Sequence, residues 1–234
     1  MINFEALFKV SYGLYIVCSG DKNFGNGFIS NTVFQVTSEP AQFALCCNKN
    51  NFTSELIKKT SSFSVSVLRQ DTSPEIIGRF GYKSGKDFNK LDGIQVKYGE
   101  TGVPIVLNDT IAFLEFKVKQ LFDVGSHLLF IGGLIQSEIL DNTKEPLTYL
   151  YYRQVKKGFA PKNAPTYIDK SKMENKDSKT KYKKYKCPTC GYIFDEAVGD
   201  AANNIKEGTL FSDLPVGWVC PVCGTEKEDF IEIQ

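Results

Sequence analysis

The chain of 234 residues lacks several features, and each absence removes a class of function. No apolar run approaches the ~18 residues that a membrane-spanning helix requires, so no membrane partner is expected. The opening MINFEALFKVSYGLYIVCSGD has no basic segment ahead of a long apolar stretch, and Glu5 interrupts it. No signal peptide is therefore expected, and the protein is predicted to be cytoplasmic. No G-x-G-x-x-G motif follows a strand-like run, which excludes a Rossmann dinucleotide domain. Histidine occurs once, at His127, and no cysteine–histidine nucleophile pair is suggested. Within the first 160 residues cysteine is scarce, with only Cys18, Cys46 and Cys47. The odd total of seven, four of them in metal-like spacing, argues against a secreted disulfide framework.

What is present points to a globular protein with 42% hydrophobic and 24% charged residues, enough for a medium domain and a small one. Charge divides the chain. Residues 161–186 carry nine lysines and three acids, a charge of +6, whereas residues 187–234 carry two lysines and nine acids, a charge of −7. The predicted organisation is a main domain over 1–160, a Lys-rich flexible linker over 161–183 and a small acidic domain over 184–234. The linker lysines are not interleaved with stacking aromatics, and their acidic neighbour would repel phosphate, so no nucleic-acid partner is expected.

The main domain reads as mostly β. GLYIVCSG, NTVFQVTS, QFALCCN, SFSVSVL, IAFLEFKVKQLF and HLLFIGGLIQSEIL are short, rich in β-branched and aromatic residues, and bounded by turn formers. FTSELIKKT is the clearest helix, with Phe52, Leu56 and Ile57 on one face and Thr53 or Ser54 as the cap. Six or more strands with few helices predict a closed or nearly closed antiparallel barrel.

The small domain holds two copies of one knuckle, CPTCG at 187–191 and CPVCG at 220–224. Four thiolates from two C-x-x-C turns converge on one tetrahedral ion, which suits zinc or iron. Pro188 and Pro221 stiffen the turns, and Gly191 and Gly224 permit the positive φ that turns backbone N–H groups towards sulfur. Zinc ribbons usually separate their knuckles by ~15–20 residues. Here 29 residues lie between Cys190 and Cys220. The stretch from YKCPTCGYIFDEAVGD to WVCPVCGTEKEDF resembles rubredoxin throughout. The resemblance implies one iron held by Cys187, Cys190, Cys220 and Cys223, cycling between Fe(III) and Fe(II). It also implies an aromatic core of Tyr185, Tyr192, Phe194, Phe211, Trp218 and Phe230. Thr189 and Thr225 depart from the family's usual aliphatic residues, and their hydroxyls are expected to shift the potential.

Residues 1–155 resemble the flavin reductase-like split-barrel flavoproteins, through YGLYIVCS, NTVFQVTSEPAQFALCCNKNNFTSELIKKTSSFSVSVL, GSHLLFIGGL and EPLTYLYYR. The resemblance implies a mainly β, antiparallel Greek-key split barrel that binds FMN. A flavin phosphate needs hydroxyls and N–H groups at a helix start, and CNKNNFTSEL supplies them. Matched to the family, Asn31, Thr32 and Gln35 would face the flavin ring and ribityl chain. Asn48, Asn50, Thr53 and Ser54 would lie along the phosphate side, with Lys49 compensating charge. Cys46 and Cys47 flank the flavin strand, where Cys47 counts among the cofactor contacts although a buried small residue is the plainer reading. His127 matches a family histidine near the flavin or nicotinamide.

A barrel of this kind followed by a rubredoxin domain resembles the high-molecular-weight rubredoxins of anaerobes. That implies a homodimer through the flavin domain, with an NAD(P)H:rubredoxin reductase upstream and a flavodiiron oxygen or nitric oxide reductase downstream. Two other readings stand beside this one. The chain could itself be an NAD(P)H:flavin or rubredoxin oxidoreductase with NAD(P)H as reductant, or the tail could be a structural zinc knuckle.

Overall fold

A computed structural model describes residues 4–169 and 182–233. The centre of the predicted linker lies outside the described residues. After a short 3-10 turn come β1 (Tyr15–Gly20), β2 (Gly25–Ser30), β3 (Val33–Ser38), β4 (Ala41–Asn48), α1 (Phe52–Thr60), β5 (Ser62–Leu68) and α2 (Pro74–Gly81). Then follow β6 (Val96–Tyr98), β7 (Pro104–Val106), β8 (Thr110–Asp123), β9 (His127–Ile139) and α3 (Tyr149–Gln154). The C-terminal unit adds β10 (Lys184–Lys186), β11 (Ile193–Asp195) and β12 (Ile231–Ile233), an antiparallel sheet with β10 in the middle. Among the described residues no helix is long and apolar enough to cross a membrane.

Seven strands form one antiparallel sheet in the order β2-β1-β5-β8-β9-β4-β3. β2 and β3 are consecutive in the chain yet sit at opposite edges. Only Asn31 and Thr32 connect them, a span of at most ~11 Å. The sheet must therefore curl until its edges face each other. It closes into a barrel whose two edge strands do not pair, and that gap is the split. The long β8–β9 hairpin forms the back wall, with bulges near Phe116 and Val118 that let the strands bend.

Alternation along the strands fills the barrel. Val17, Leu45, Cys47, Phe63, Val65, Phe116 and Phe130 are buried together, and the Phe63 and Phe116 rings stack 5.0 Å apart. One carboxylate is buried on the opposite face of the same sheet, beneath the β6–β7 hairpin. Glu115, fully buried, accepts hydrogen bonds from the backbone N–H of Glu100 (2.8 Å), the N–H of Thr101 (2.7 Å) and the Thr101 hydroxyl (2.6 Å). It pins the β6–β7 turn to the middle of β8. Glu115→Ala would orphan three donors and is expected to cost about 3 kcal/mol in urea unfolding.

The α1 cap falls on Asn51, not on Thr53 or Ser54. The Asn51 side chain accepts from Thr53 N–H at 2.9 Å, and Ser61 ends the helix in the left-handed region at φ 53°. α2 is capped by Ser73 with Pro74 at its first turn. In the small unit Tyr185 stacks on Phe211 at 3.9 Å, and Phe194, Trp218 and Phe230 pack around them at 5.3–6.0 Å. The predicted aromatic core is present. The apolar clusters of the two units merge, Ile76, Ile77 and Tyr152 of the barrel packing with Val222 and Cys223 of the tail.

Candidate functional site

The four knuckle sulfurs lie within 4.8 Å of one another. Cys187 and Cys223 Sγ are 3.6 Å apart, and Cys190 and Cys220 Sγ 3.5 Å. A tetrahedron with ~2.3 Å metal–sulfur bonds has edges of about 3.8 Å, so the chain holds the thiols where one ion would sit. The knuckles share one backbone pattern. Gly191 N–H donates to Cys187 O and Gly224 N–H to Cys220 O, at 3.0 and 2.9 Å. Cys187 N–H donates to Tyr192 O and Cys220 N–H to Thr225 O, at 2.8 and 2.7 Å. Both glycines have positive φ, 77° and 75°, as the turn requires. Tyr192 N–H points at Cys190 Sγ, 3.5 Å away. Hydrogen bonds from neighbouring thiols hold the Cys187 thiol low, while Cys187 raises that of Cys190; four thiolates this close need a cation.

The two knuckle threonines differ. Thr225 Oγ1 lies 3.1 Å from Cys223 Sγ, whereas Thr189 lines a neighbouring cavity. A hydroxyl donor on sulfur favours the more negative, reduced centre. Thr225→Val is therefore expected to lower the iron potential by about 40 mV in a redox titration, with Thr189→Val close to wild type.

The second site opens at the split. A cavity of about 360 Å³ is lined by six asparagines (26, 31, 48, 50, 51 and 163), with Phe28, Phe52, Lys83, Ser84 and Lys90, and by no carboxylate among the described residues. Asn31 sits in the β2–β3 connection and donates to Thr166 Oγ1 at 2.7 Å. Asn48 ends β4, and its side chain accepts from Asn50 N–H at 2.9 Å. Lys90 is 5% exposed, its ammonium donating to the carbonyls of Gly27 (3.0 Å) and Phe80 (3.2 Å). Burial pushes its pKa down to about 8. Asn26 is 2% exposed, and its Nδ2 has no partner among the described residues. It fits only because residue 85 is glycine, where a Cβ would collide with the Asn26 amide.

Of the residues expected to contact the flavin, Asn31, Asn48 and Asn50 line this cavity, and the others do not. The Thr32 hydroxyl turns to Cys46 O at 3.0 Å. Cys46 faces the cavity, and the alternation of β4 sends Cys47 into the barrel core. Gln35 lines a different groove beside Phe34 and Phe43, and Lys49 pairs with Asp123 at 2.6 Å. Thr53 is fully buried behind Asn51 and Phe52, its hydroxyl unpartnered among the described residues. His127 pairs with Asn48 across the sheet, and its Nε2 is 3.2 Å from the carbonyl oxygen of Asn163, a cavity residue. Pro161, Asn163, Ala164 and Pro165 close one side, so the start of the expected linker is packed on the barrel.

Sequence reasoning missed Asn26, Asn51, Lys83, Ser84 and Lys90. The signal was a loop rich in small and basic residues, KSGKDFNK, after an unrecognised helix. One unpartnered donor, the Asn26 amide, and two lysines in a lining that shows no acid among the described residues fit an anionic, acceptor-rich ligand such as a flavin phosphate ester. Four clustered thiols fit iron.

Comparison with known proteins agrees. The flavin reductase like domain family matches residues 7–159, and rubredoxin matches residues 184–230. The high molecular weight rubredoxin of Moorella thermoacetica is 41% identical over 98% of this chain and 99% of its own length. The Ferric-chelate reductase (NAD(P)H) of Archaeoglobus fulgidus is 46% identical over 70% of this chain and 97% of its own. In fold, the chain resembles the NADH:FAD oxidoreductase of Streptomyces globisporus C-1027, with TM-score 0.54 and 20% identity, covering 61% of this chain and 84% of that one. The chain belongs to the high molecular weight rubredoxins, a flavin reductase-like split barrel joined to a C-terminal rubredoxin domain.

Proposed function

We propose that this chain carries electrons between FMN, held in the asparagine-lined cavity, and one iron held by Cys187, Cys190, Cys220 and Cys223. The observation that carries this reading is that the two sites share one packed body, with Thr189 of the first knuckle lining the cavity itself. When bound, FMN accepts two electrons together and releases them singly, and iron passes them on one at a time.

The chain's own residues supply binding and position. Lys90, held by two carbonyls, places a positive charge in the cavity, and Asn26 offers it a free N–H donor. Asn31, Asn48 and Asn50 present amides along the split. Lys49 and Thr53 support the phosphate side from behind, and His127 positions Asn163 through its carbonyl. Thr32, Gln35 and Cys47 shape the strands that carry these groups. The four knuckle thiolates bind iron, and Thr225 tunes it.

In this reading an NAD(P)H-dependent rubredoxin reductase delivers the electrons and a flavodiiron oxygen or nitric oxide reductase takes them. The chain forms a homodimer through the flavin domain, which the exposed apolar side chains of Phe34 and Val36 on the edge strand β3 support. A second reading, direct oxidation of NAD(P)H at the barrel, is favoured by the name of the Archaeoglobus relative.

Anaerobic mixing of the FMN- and iron-loaded protein with NADH or NADPH separates the two. A carrier stays oxidised until a reductase is added. Fast flavin bleaching followed by iron reduction would make the chain a self-sufficient oxidoreductase. A protein that binds zinc natively and shows no colour bleached by dithionite would contradict both.

A further inference from the structure

A glycine inside a helix costs about 1 kcal/mol relative to alanine, so one that persists there usually makes room for a neighbour. In α2 that residue is Gly78. A Cβ on it would collide with the carbonyl oxygen of Cys223 and stand 3.3 Å from the Cys223 Cα. Glu75, near the start of the same helix, lies beside the other end of the contact: its atoms are 3.7–3.9 Å from where a Cβ on Gly224 would be. Val222, between the two cysteines of the knuckle, is 1% exposed and packs in the same cluster as Ile76 and Ile77. The second knuckle is thus seated on α2 by a contact that no larger residue at position 78 permits.

Seating the second knuckle places the first. Thr189 lines the asparagine cavity and also an adjoining cavity lined by Cys190, Gly191 and Tyr149. Tyr82 lines both, its hydroxyl 3.1 Å from that of Tyr152 and 2.9 Å from the carbonyl oxygen of Phe159, which it donates to. The partition between the asparagine cavity and the metal ligands is therefore built by Tyr82 and Thr189, and Thr189 is covalently joined to the ligand Cys190.

We propose that α2 is a docking seat for the rubredoxin unit, with Gly78 as its positioning residue, and that in the seated state Thr189–Cys190 is the port through which electrons leave the cavity for the iron. The proposal rests on the reading of the chain as an FMN–iron electron-transfer protein. Each fully reduced flavin loses two electrons and two protons in successive steps. Each step reduces one ferric iron to ferrous, the protons pass to water, and an external one-electron acceptor reoxidises the iron in between.

The test compares wild type with Gly78→Leu, and with the graded Gly78→Ala, as full chains loaded with FMN and iron. Both substitutions favour helix, so the barrel keeps its fold, and the iron–thiolate absorption verifies the tail. Solution X-ray scattering reads docking, and flash reduction of the flavin followed at the iron absorbance reads transfer. The expected result is an expanded scattering profile and iron reduction slower by about tenfold or more in Gly78→Leu, with Gly78→Ala between. A variant that keeps the wild-type transfer rate, expanded or not, overturns the proposal. Slower transfer with an unchanged profile overturns it as well, because the seat would then not be what was lost. A wild-type profile that is compact, in a protein whose iron is never reduced by the flavin, would instead sink the electron-transfer reading beneath it.

Discussion

Replacing Cys220 with serine is expected to abolish iron binding and unfold the C-terminal unit, while the barrel keeps its sheet. The unit has three strands of three residues each and one aromatic cluster, too little core to fold unaided. A domain of this size draws its stability from the metal, where tetrahedral thiolate sites contribute on the order of 10 kcal/mol. Serine leaves three sulfurs and a hydroxyl that binds soft metals poorly. Trp218 is the only tryptophan and lies in the tail's core, so its fluorescence reports that unit alone. Iron content near zero with a solvent-exposed Trp218 emission is the expected outcome. Native emission from an iron-free variant would show that the aromatic core folds without the ion.

Lys90→Gln is expected to weaken FMN binding by about 2 kcal/mol, roughly 30-fold in Kd. Glutamine keeps N–H donors for the Gly27 and Phe80 carbonyls but brings no charge. The wild-type protein should show the same loss with pH. The Lys90 pKa is about 8 in the folded protein, so above that pH the ammonium must be regained before it can meet an anion. FMN affinity therefore falls as pH rises through 8, by at most about tenfold per unit, and the variant lacks this dependence. Stability of the flavin-free protein runs the other way. An unfolded lysine keeps its proton to about pH 10.4, so between 8 and that value the unfolded chain holds more protons and wild type gains stability relative to Lys90→Gln. Isothermal titration with FMN from pH 6.5 to 9.5 checks the first trend. A variant with wild-type affinity and the same pH slope would remove Lys90 from the site.

Much of the architecture was legible in local pattern. Six strand-like runs became β1, β3, β4, β5, β8 and β9, because each alternates or carries β-branched residues between turn formers. β2 was missed because GNGFIS holds two glycines, which carry no strand signal. Gly27 is there for packing, since a Cβ would press against Phe80 at 3.2 Å and Cys18. α2 could have been found from Ser73-Pro74-Glu75, a cap followed by proline and an acid in the first turn. The metal site was readable from spacing alone, since a knuckle is a local structure with fixed chemistry. The cavity was not, because it is assembled from the split, α1, the loop after α2 and the residues that follow α3. A lysine buried against two carbonyls looks in sequence like any surface lysine. Cys46 and Cys47 show the same limit: only register decides which of two adjacent side chains faces the cavity.

Flavin and iron on one packed body should exchange electrons within a single assembly. Flash photoreduction of FMN in the iron-loaded full chain, with the iron absorbance followed across a wide range of protein concentrations, reads this exchange. The expected result is first-order reduction of the iron at a rate independent of concentration. A rate that rises in proportion to protein concentration, or iron that stays ferric while the flavin is reduced, would contradict it.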